Sequence, residues 1–389
     1  MKLLHLIRDE KFPDSAYELF EAVAPGQNTF MLVGTSEPIV HLKKVKPVRV
    51  FKYAFWSAKF VRSFERYDAI ILHSLQPFAL ELLARLNTNT PVVWIGMGYD
   101  YYDLLTSSPS DLLKPETLAI HGPTASRLKK TPKQLFAGAL NRVLHPNAIR
   151  KQSLVRKIDL FAPVLQSEYA LLKQVLGDKK FPEFVRWNYG KIADLVDGKL
   201  GHKDITGKNI LIGNSATPTN NQIDVFRTLA EAGIPRGSMI IAPLSYGKAD
   251  YREKVIGEGK RLFGDQFRPV TEFMELDEYI ELLSTCSSVI MNHLRQQGAG
   301  SLFIALYMGA KVYLDARNPL YAEFKSTGLT VSSVDALFGD SATLDQPLQS
   351  SLVVRQREII RATRGRAAFE RCTENLIAEV VRVKKEKAV

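Results

Sequence analysis

Short apolar runs alternate with helical patterns twice along this 389-residue chain, on either side of a stretch without periodicity. No other feature constrains the fold as much. Residues 3–7, 29–33, 69–72 and 91–95 read as buried strands, and 15–24, 54–64 and 77–86 as helices between them. Strand–helix–strand rhythm of this kind selects a parallel sheet with helices on both faces. A mostly helical, loop-rich region follows from 101 to 157, then a strand at 160–163 and a helix at 167–176. The rhythm fades over 191–207, which carries charges and glycines but no period, and then restarts. Strands are expected at 209–212, 238–242, 288–291 and 311–314, with helices at 220–232, 251–263, 277–284 and 302–308 and a terminal helix over 354–387. The chain is too long for one ordinary core. The expectation is therefore two α/β domains, 1–190 and 208–389, joined by a linker at 191–207. Ligands of open α/β sheets bind outside the carboxyl ends of the strands, so two such sheets facing a central cleft could bring two substrates together.

The turn Asn292-His293-Leu294-Arg295-Gln296-Gln297-Gly298-Ala299-Gly300-Ser301 joins an expected strand to an expected helix. A helix start presents unpaired N–H groups and the positive end of its dipole, which suits phosphate, and Arg295 adds a fork of donors. The same glycines could instead serve only close helix–strand packing. Gly213-Asn214-Ser215 follows the strand at 209–212, and the turn's small polar side chains could donate to phosphate, while Thr219 or Asn220 could instead cap the next helix. Tyr246, after the strand at 238–242, could stack on a base or pack on its own domain. Arg317-Asn318-Pro319 completes the rim. Four polar turns at one end of successive strands predict a shared pocket for an anionic, nucleotide-like ligand.

Two cysteines, Cys286 and Cys372, provide no disulfide framework and fit a reducing compartment. The first ten residues have too short an apolar core for a signal peptide, and no apolar run approaches the roughly 20 residues of a membrane span. A cytoplasmic location is expected. Metal-site spacings such as H-E-x-x-H and D-x-D are absent, as are the P-loop and the G-x-G-x-x-G turn, so no metal or nicotinamide cofactor is expected. The net charge is +11, and residues 127–157 hold nine Lys or Arg with no Asp or Glu. Interleaved apolar residues make that segment either a solvated basic helix face or one suited to an anionic lipid surface. Nucleic acid is the weaker partner, since zinc-finger and RNP-like patterns are missing.

In the first domain, polar residues fall at expected strand ends: Arg8 and Asp9, His73 and Ser74, and Gly98-Tyr99-Asp100. Asp100, Asp9 and His73 are candidate general bases, in that order. Taken alone, each is more often a capping or structural group.

Ile210-Leu211-Ile212-Gly213-Asn214-Ser215, Pro243 with Tyr246, Arg295-Gln296-Gln297-Gly298 with Gly300, and Asn318-Pro319 resemble the bacterial TDP-N-acetylfucosamine:lipid II N-acetylfucosaminyltransferases. Gly98, Asp100 and Tyr102 extend the resemblance into the first domain, and His73 does so more weakly. It implies the GT-B fold, two Rossmann-like domains facing a central cleft, and metal-independent transfer from a sugar nucleotide, helix N-termini and basic side chains stabilising the departing diphosphate. By that resemblance Arg295, Gly298 and Gly300 would hold the diphosphate, with Gln296 and Gln297 also among the donor-binding residues. Gly213, Asn214 and Ser215 would line its phosphate and sugar side, with Tyr246 and Asn318 near the donor. A dTDP-sugar is the expected donor. The expected acceptor is a polyprenyl-diphosphate-linked glycan at the inner face of the cytoplasmic membrane, where 127–157 could meet anionic headgroups. Alternatives are a sugar-nucleotide epimerase or hydrolase of the same fold, or a non-catalytic basic protein.

Overall fold

The computed structural model describes residues 1–34, 38–87, 89–121, 147–177, 180–190, 192–201 and 203–388. The chain forms two compact units. Residues 127–146 of the basic segment lie outside the described residues.

The first unit holds a seven-stranded, all-parallel sheet. Its strands are β1 (Leu3–Ile7), β2 (Asn28–Val33), β3 (Val48–Val50), β4 (Ala69–His73), β5 (Val92–Ile95), β6 (Leu160–Ala162) and β7 (Glu183–Phe184), in spatial order β3-β2-β1-β4-β5-β6-β7. β1, β4 and β5 are buried along their whole length, as central strands covered on both faces must be. The connecting helices include α1 (Pro13–Val23), α2 (Ala58–Arg62), α3 (Pro77–Arg85), α4 (Tyr102–Leu105), α6 (Asn147–Val155) and α7 (Gln166–Leu176).

The second unit holds a six-stranded parallel sheet in the order β10-β9-β8-β11-β12-β13. Its strands are β8 (Asn209–Ile212), β9 (Ile240–Pro243), β10 (Phe267–Val270), β11 (Cys286–Met291), β12 (Lys311–Leu314) and β13 (Ser332–Ser333). Because every strand runs the same way, the turns after β8, β9, β11 and β12 lie along one sheet edge. The strand order reverses between β8 and β11, which makes the crevice between their turns the favoured place for a ligand. The helices around it are α5 (Pro115–His121), α8 (Gln222–Ala232), α9 (Ala249–Phe263), α10 (Leu276–Ser284), α11 (Ala299–Met308), α12 (Pro319–Ser326), α13 (Leu337–Asp340) and α14 (Ser350–Arg364).

The packing divides the chain differently from the sequence-based boundaries. The expected terminal helix is two helices broken at Gly365, and the second, α15 (Arg366–Lys387), belongs to the first unit. Its stripe Phe369, Thr373, Leu376, Val380 and Val383 is buried, α15 packs on α1, and the Trp187 indole donates to the Thr373 hydroxyl at 2.9 Å. In the opposite direction, α5 comes from the first half of the sequence but docks on α8. Backbone N–H groups of Glu116 and Thr117, and the Thr117 hydroxyl, donate to Asp224 at 2.7–3.1 Å. That is a helix N-terminus capped by a carboxylate distant in sequence. The expected linker is docked as well, since the Tyr307 hydroxyl donates to Gly201 O at 3.0 Å. No described helix is long and apolar enough to cross a membrane.

Candidate functional site

The turns after β8 and β11 are stitched together by side chains. Gln297 donates to Asn214 Oδ1 at 3.1 Å, and the Thr219 hydroxyl donates to Gln297 Oε1 at 2.8 Å. Asn214 in turn donates to the Tyr246 hydroxyl at 3.3 Å, and the turn after β9 joins through Ala216 N–H to Tyr246 O at 2.8 Å. Gly213, Asn214, Tyr246, Gln297 and Gly298 are thereby gathered at one edge, as the sequence pattern anticipates.

Two glycines in this crevice have backbone reasons. Gly298 starts α11 at φ +68° with no side-chain cap, and a Cβ there would press on the Asn214 amide at 3.2 Å. Gly213, at φ +72°, would set a Cβ only 2.7 Å from Asn220 Oδ1. Both conformations disfavour any side chain. Helix α11 is apolar on all sides and buried from Leu302 onward, so it is held by packing. Its first intrahelical bond runs from Leu302 N–H to Gly298 O, and Gly300 in its first turn is exposed. A buried helix with an uncapped, glycine-opened start directs its N–H groups and dipole at whatever lies in the crevice.

Asn220, fully buried, holds the crevice from beneath. Its amide nitrogen donates to Ser215 Oγ and Thr217 O, which leaves Oδ1 to accept from the Asn214 N–H and from His293 Nε2, each at 2.8 Å. The His293 proton is therefore on Nε2. Burial, with Arg295 nearby, holds that ring neutral, its pKa pulled down to about 3. Ser215 is buried and donates to Thr217 Oγ1 at 2.9 Å, so its hydroxyl shapes the turn rather than facing the crevice. Asn318 is also buried and caps α12, accepting from Leu320 N–H at 3.0 Å. Arg295 and Gln297 are half-buried on the turn, and Gln296 is buried.

Lys114 carries no local signal in the sequence, yet its ammonium donates to Asn292 Oδ1 at 2.9 Å and pairs with Asp315 at 2.8 Å, across the ends of β11 and β12. Its backbone N–H donates to Asn221 Oδ1 at 2.8 Å. Arg317 forks onto the same carboxylate at 3.0 Å through both Nε and Nη2. Burial pushes the Asp315 pKa up, but Arg317, Lys114 and a backbone N–H outweigh it and hold it down to about 2. A depressed carboxylate pKa contributes stability above the unfolded value of about 3.9 and loses it as pH falls toward the folded value. Lys114→Met should therefore destabilise the protein at pH 7 by about 1–3 kcal/mol, below the cost of breaking a fully buried pair because Asp315 keeps Arg317. Denaturant titrations of both proteins between pH 7 and 2 should show the penalty shrinking in acid.

In the first unit, the three expected bases are occupied. Asp9 accepts backbone N–H groups of Val40, His41 and Leu42 at 2.7–3.2 Å; burial opposes, but these bonds keep its pKa below the ordinary value. Asp100 is buried and accepts from Leu75 N–H, the Trp94 indole and Met97 N–H at 2.8–2.9 Å, with burial raising its pKa against those donors. His73 is buried inside a hydrogen-bonded row. Asn28 donates its amide to Glu21 and Ala24 O, so its Oδ1 accepts from His5 Nε2–H at 3.3 Å. His5 Nδ1 then accepts from His73 Nε2–H at 3.1 Å, and His73 Nδ1 accepts the Tyr189 hydroxyl at 3.0 Å. Burial holds both rings neutral, with His5 down to about 3. All three side chains hold the loops and strand ends in place.

The sequence reading missed Glu10. Arg8 donates to Gln76 at 3.2 Å, Gln76 to the Tyr99 hydroxyl at 2.9 Å, and that hydroxyl lies 3.4 Å from Glu10 Oε1. This chain spans the ends of β1, β4 and β5. Burial raises the Glu10 pKa, Arg8 partly offsetting it, and the Tyr99 phenol is pushed up to about 12. Beside them Ser74 takes φ +79°, a strained value for a non-glycine residue and one that clusters at functional sites. Among the described residues, no group of three or more His, Cys, Asp or Glu could hold a metal ion.

Residues 196–363, most of the second unit, match the family model described as 4-alpha-L-fucosyltransferase glycosyl transferase group 56. Solved structures share the fold over the whole chain. An α,α-trehalose-phosphate synthase (UDP-forming) from Burkholderia vietnamiensis matches with a TM-score of 0.64 at 9% identity, over 98% of this chain and 100% of that one. The α,α-trehalose 6-phosphate synthase of Burkholderia multivorans matches at 0.62 and 10% identity, over 100% and 98%. Anabaena HepE in complex with UDP and glucose matches at 0.50 and 15% identity, over 100% and 98%. The fold is GT-B, with two Rossmann-like units.

Proposed function

We propose that this chain, a glycosyltransferase whose residues 196–363 match group 56, moves a deoxyamino sugar from a dTDP-sugar onto a lipid-linked saccharide. The sugar is of the 4-acetamido-4,6-dideoxygalactose kind, the acceptor a polyprenyl-diphosphate-linked glycan, and the setting the synthesis of a surface polysaccharide resembling enterobacterial common antigen. One observation carries the donor half: the uncapped, glycine-opened start of α11, with Arg295 on the same turn and Gln297 tying it to Asn214. Such a start suits a diphosphate. The complex of Anabaena HepE with UDP-glucose adds support for a sugar nucleotide as donor.

In this reading the acceptor oxygen attacks the anomeric carbon and the bond from that carbon to the β-phosphate oxygen breaks. The hydroxyl proton passes to Glu10, the carboxylate whose raised pKa suits a general base. Charge accumulates on the leaving diphosphate. The α11 N–H groups, its dipole and the Arg295 fork stabilise that charge more than the ground state, and rate acceleration requires that difference. No resident metal is needed for these steps. The acceptor would place the enzyme peripherally on the inner face of the cytoplasmic membrane.

Product analysis tests the reading. With dTDP-sugar, a polyprenyl-diphosphate saccharide and EDTA, the expected products are dTDP and an extended glycolipid in equal amounts. Free sugar or an isomerised sugar nucleotide, formed at the same rate without acceptor, would instead identify a hydrolase or an epimerase.

A further inference from the structure

We propose that the surface formed by residues 40–62 of the first unit is the face by which this enzyme rests on an anionic bilayer. The inference builds on the lipid-linked acceptor of the preceding reading, and it concerns residues other than those of the basic segment 127–157. Strand β3 is the edge of its sheet, and the chain leaves its carboxyl end into the 3-10 turn Lys52–Trp56. Glu10, Gln76 and Tyr99 follow β1, β4 and β5 at the same carboxyl end of the sheet.

Five apolar or aromatic side chains project from this stretch, Val40 at its start being 69% exposed. Val48 is 54% exposed, Phe51 67%, Tyr53 58% and Trp56 62%. Looseness is not the cause, because the turn is pinned. Phe55 is fully buried, edge-on to Phe60 and Phe64 and tilted against Phe78 of α3. Tyr53 and Trp56 also meet edge to face at 5.2 Å. The same stretch carries seven cations, Lys43, Lys44, Lys46, Arg49, Lys52, Lys59 and Arg62, every one exposed, and the Lys52 ammonium lies 5.1 Å from the centre of the Tyr53 ring. No Asp or Glu occurs from 38 to 64. The carboxylates facing the patch from α1 are Glu18, paired with Lys44, and Asp14, which accepts backbone N–H groups of Lys43, Lys44 and Val45.

Rigid Trp and Tyr rings beside aliphatic groups and accompanied by Lys and Arg match a headgroup–acyl boundary. The rings sit at that boundary, the cations meet anionic headgroups, and their stems lie along the apolar surface. Single-stranded nucleic acid is usually met by aromatic stacking platforms along a charged groove. Val48 and Phe51 would gain little there, whereas an acyl boundary accepts both.

Trp56 makes the test specific, since the other two tryptophans, Trp94 and Trp187, are 0% and 2% exposed. The full chain should co-sediment with phosphatidylcholine vesicles containing phosphatidylglycerol, bind phosphatidylcholine alone far less, and lose binding in high salt. Brominated lipid should quench the fluorescence. Phe51→Ser with Trp56→Ser, and separately Lys46→Gln, Arg49→Gln and Lys52→Gln together, should each weaken vesicle binding about tenfold or more. These positions are exposed, and an unchanged Tm would confirm folding. Failure of the wild type to bind anionic vesicles, unchanged binding in both variants, or an unquenched Trp56 would overturn the proposal. So would burial of Trp56 in a concentration-dependent dimer, or binding to an oligonucleotide in preference to vesicles. Stabilisation by dTDP, measured on the same proteins, separates the two readings. Its absence removes the donor assignment, whereas its presence beside failed vesicle binding removes only the membrane face.

Discussion

Replacing Arg295 with alanine is expected to lower kcat/KM for the sugar nucleotide by a hundredfold or more, about 3 kcal/mol of transition-state stabilisation. A guanidinium offers two parallel donors to phosphate oxygens, which a lysine cannot reproduce, so Arg295→Lys should recover only part of the loss. The helix start and Gln297 remain in both variants, and the turn itself rests on Asn220, Thr219 and Asn214. Stability should therefore change by less than about 1 kcal/mol. Thermal unfolding beside steady-state kinetics would check the separation. Wild-type kinetics in Arg295→Ala would remove this residue from the donor site.

Glu10→Gln should cost more in turnover than in binding. Loss of a positioned base lowers rates by about 10²–10⁴-fold, and here the effect should fall on kcat, with the donor KM little changed. The pH profile carries the sign. A base works deprotonated, and burial raises this carboxyl above the ordinary glutamate value. Wild-type kcat should thus fall on the acid side at a higher pH than a solvated glutamate would set, and the variant should lack that limb. Asp100→Asn should behave differently. It leaves three donors, two of them buried, facing a poorer acceptor, so the expected loss is about 1–3 kcal/mol of stability. A kcat defect in Asp100→Asn at full stability, with Glu10→Gln unaffected, would reverse the assignment.

The central strands were legible because a run such as Leu3–Ile7, Asn209–Ile212 or Lys311–Leu314 is apolar, bounded and too short for a buried helix. The edge strands were not. Val48–Val50 is three residues long, and Phe267–Val270 contains Arg268 and Pro269, which only an edge position tolerates. The stripe on α15 shows that the helix is buried, but no pattern says against what, so its return to α1 was hidden. The polar turns of the second unit were legible because their signal is local: glycine and small polar residues directly after a strand. Lys114 was not, since its partner Asn292 is 178 residues away. Asp9 and Asp100 looked like bases from position alone; backbone N–H groups already bond both carboxylates, and for that reason the base is proposed to be Glu10.

The central claim is that the second unit is a dTDP-sugar donor site needing no metal, and a thermal-shift titration tests it most directly. In EDTA, dTDP should stabilise the full chain with the logarithm of its concentration above Kd, by about 2.7 kcal/mol at a hundred times Kd. UDP and GDP should do less, and Arg295→Ala should need far more dTDP for the same shift. A chain whose unfolding is unmoved by dTDP, UDP and GDP alike, with or without EDTA, would contradict the account.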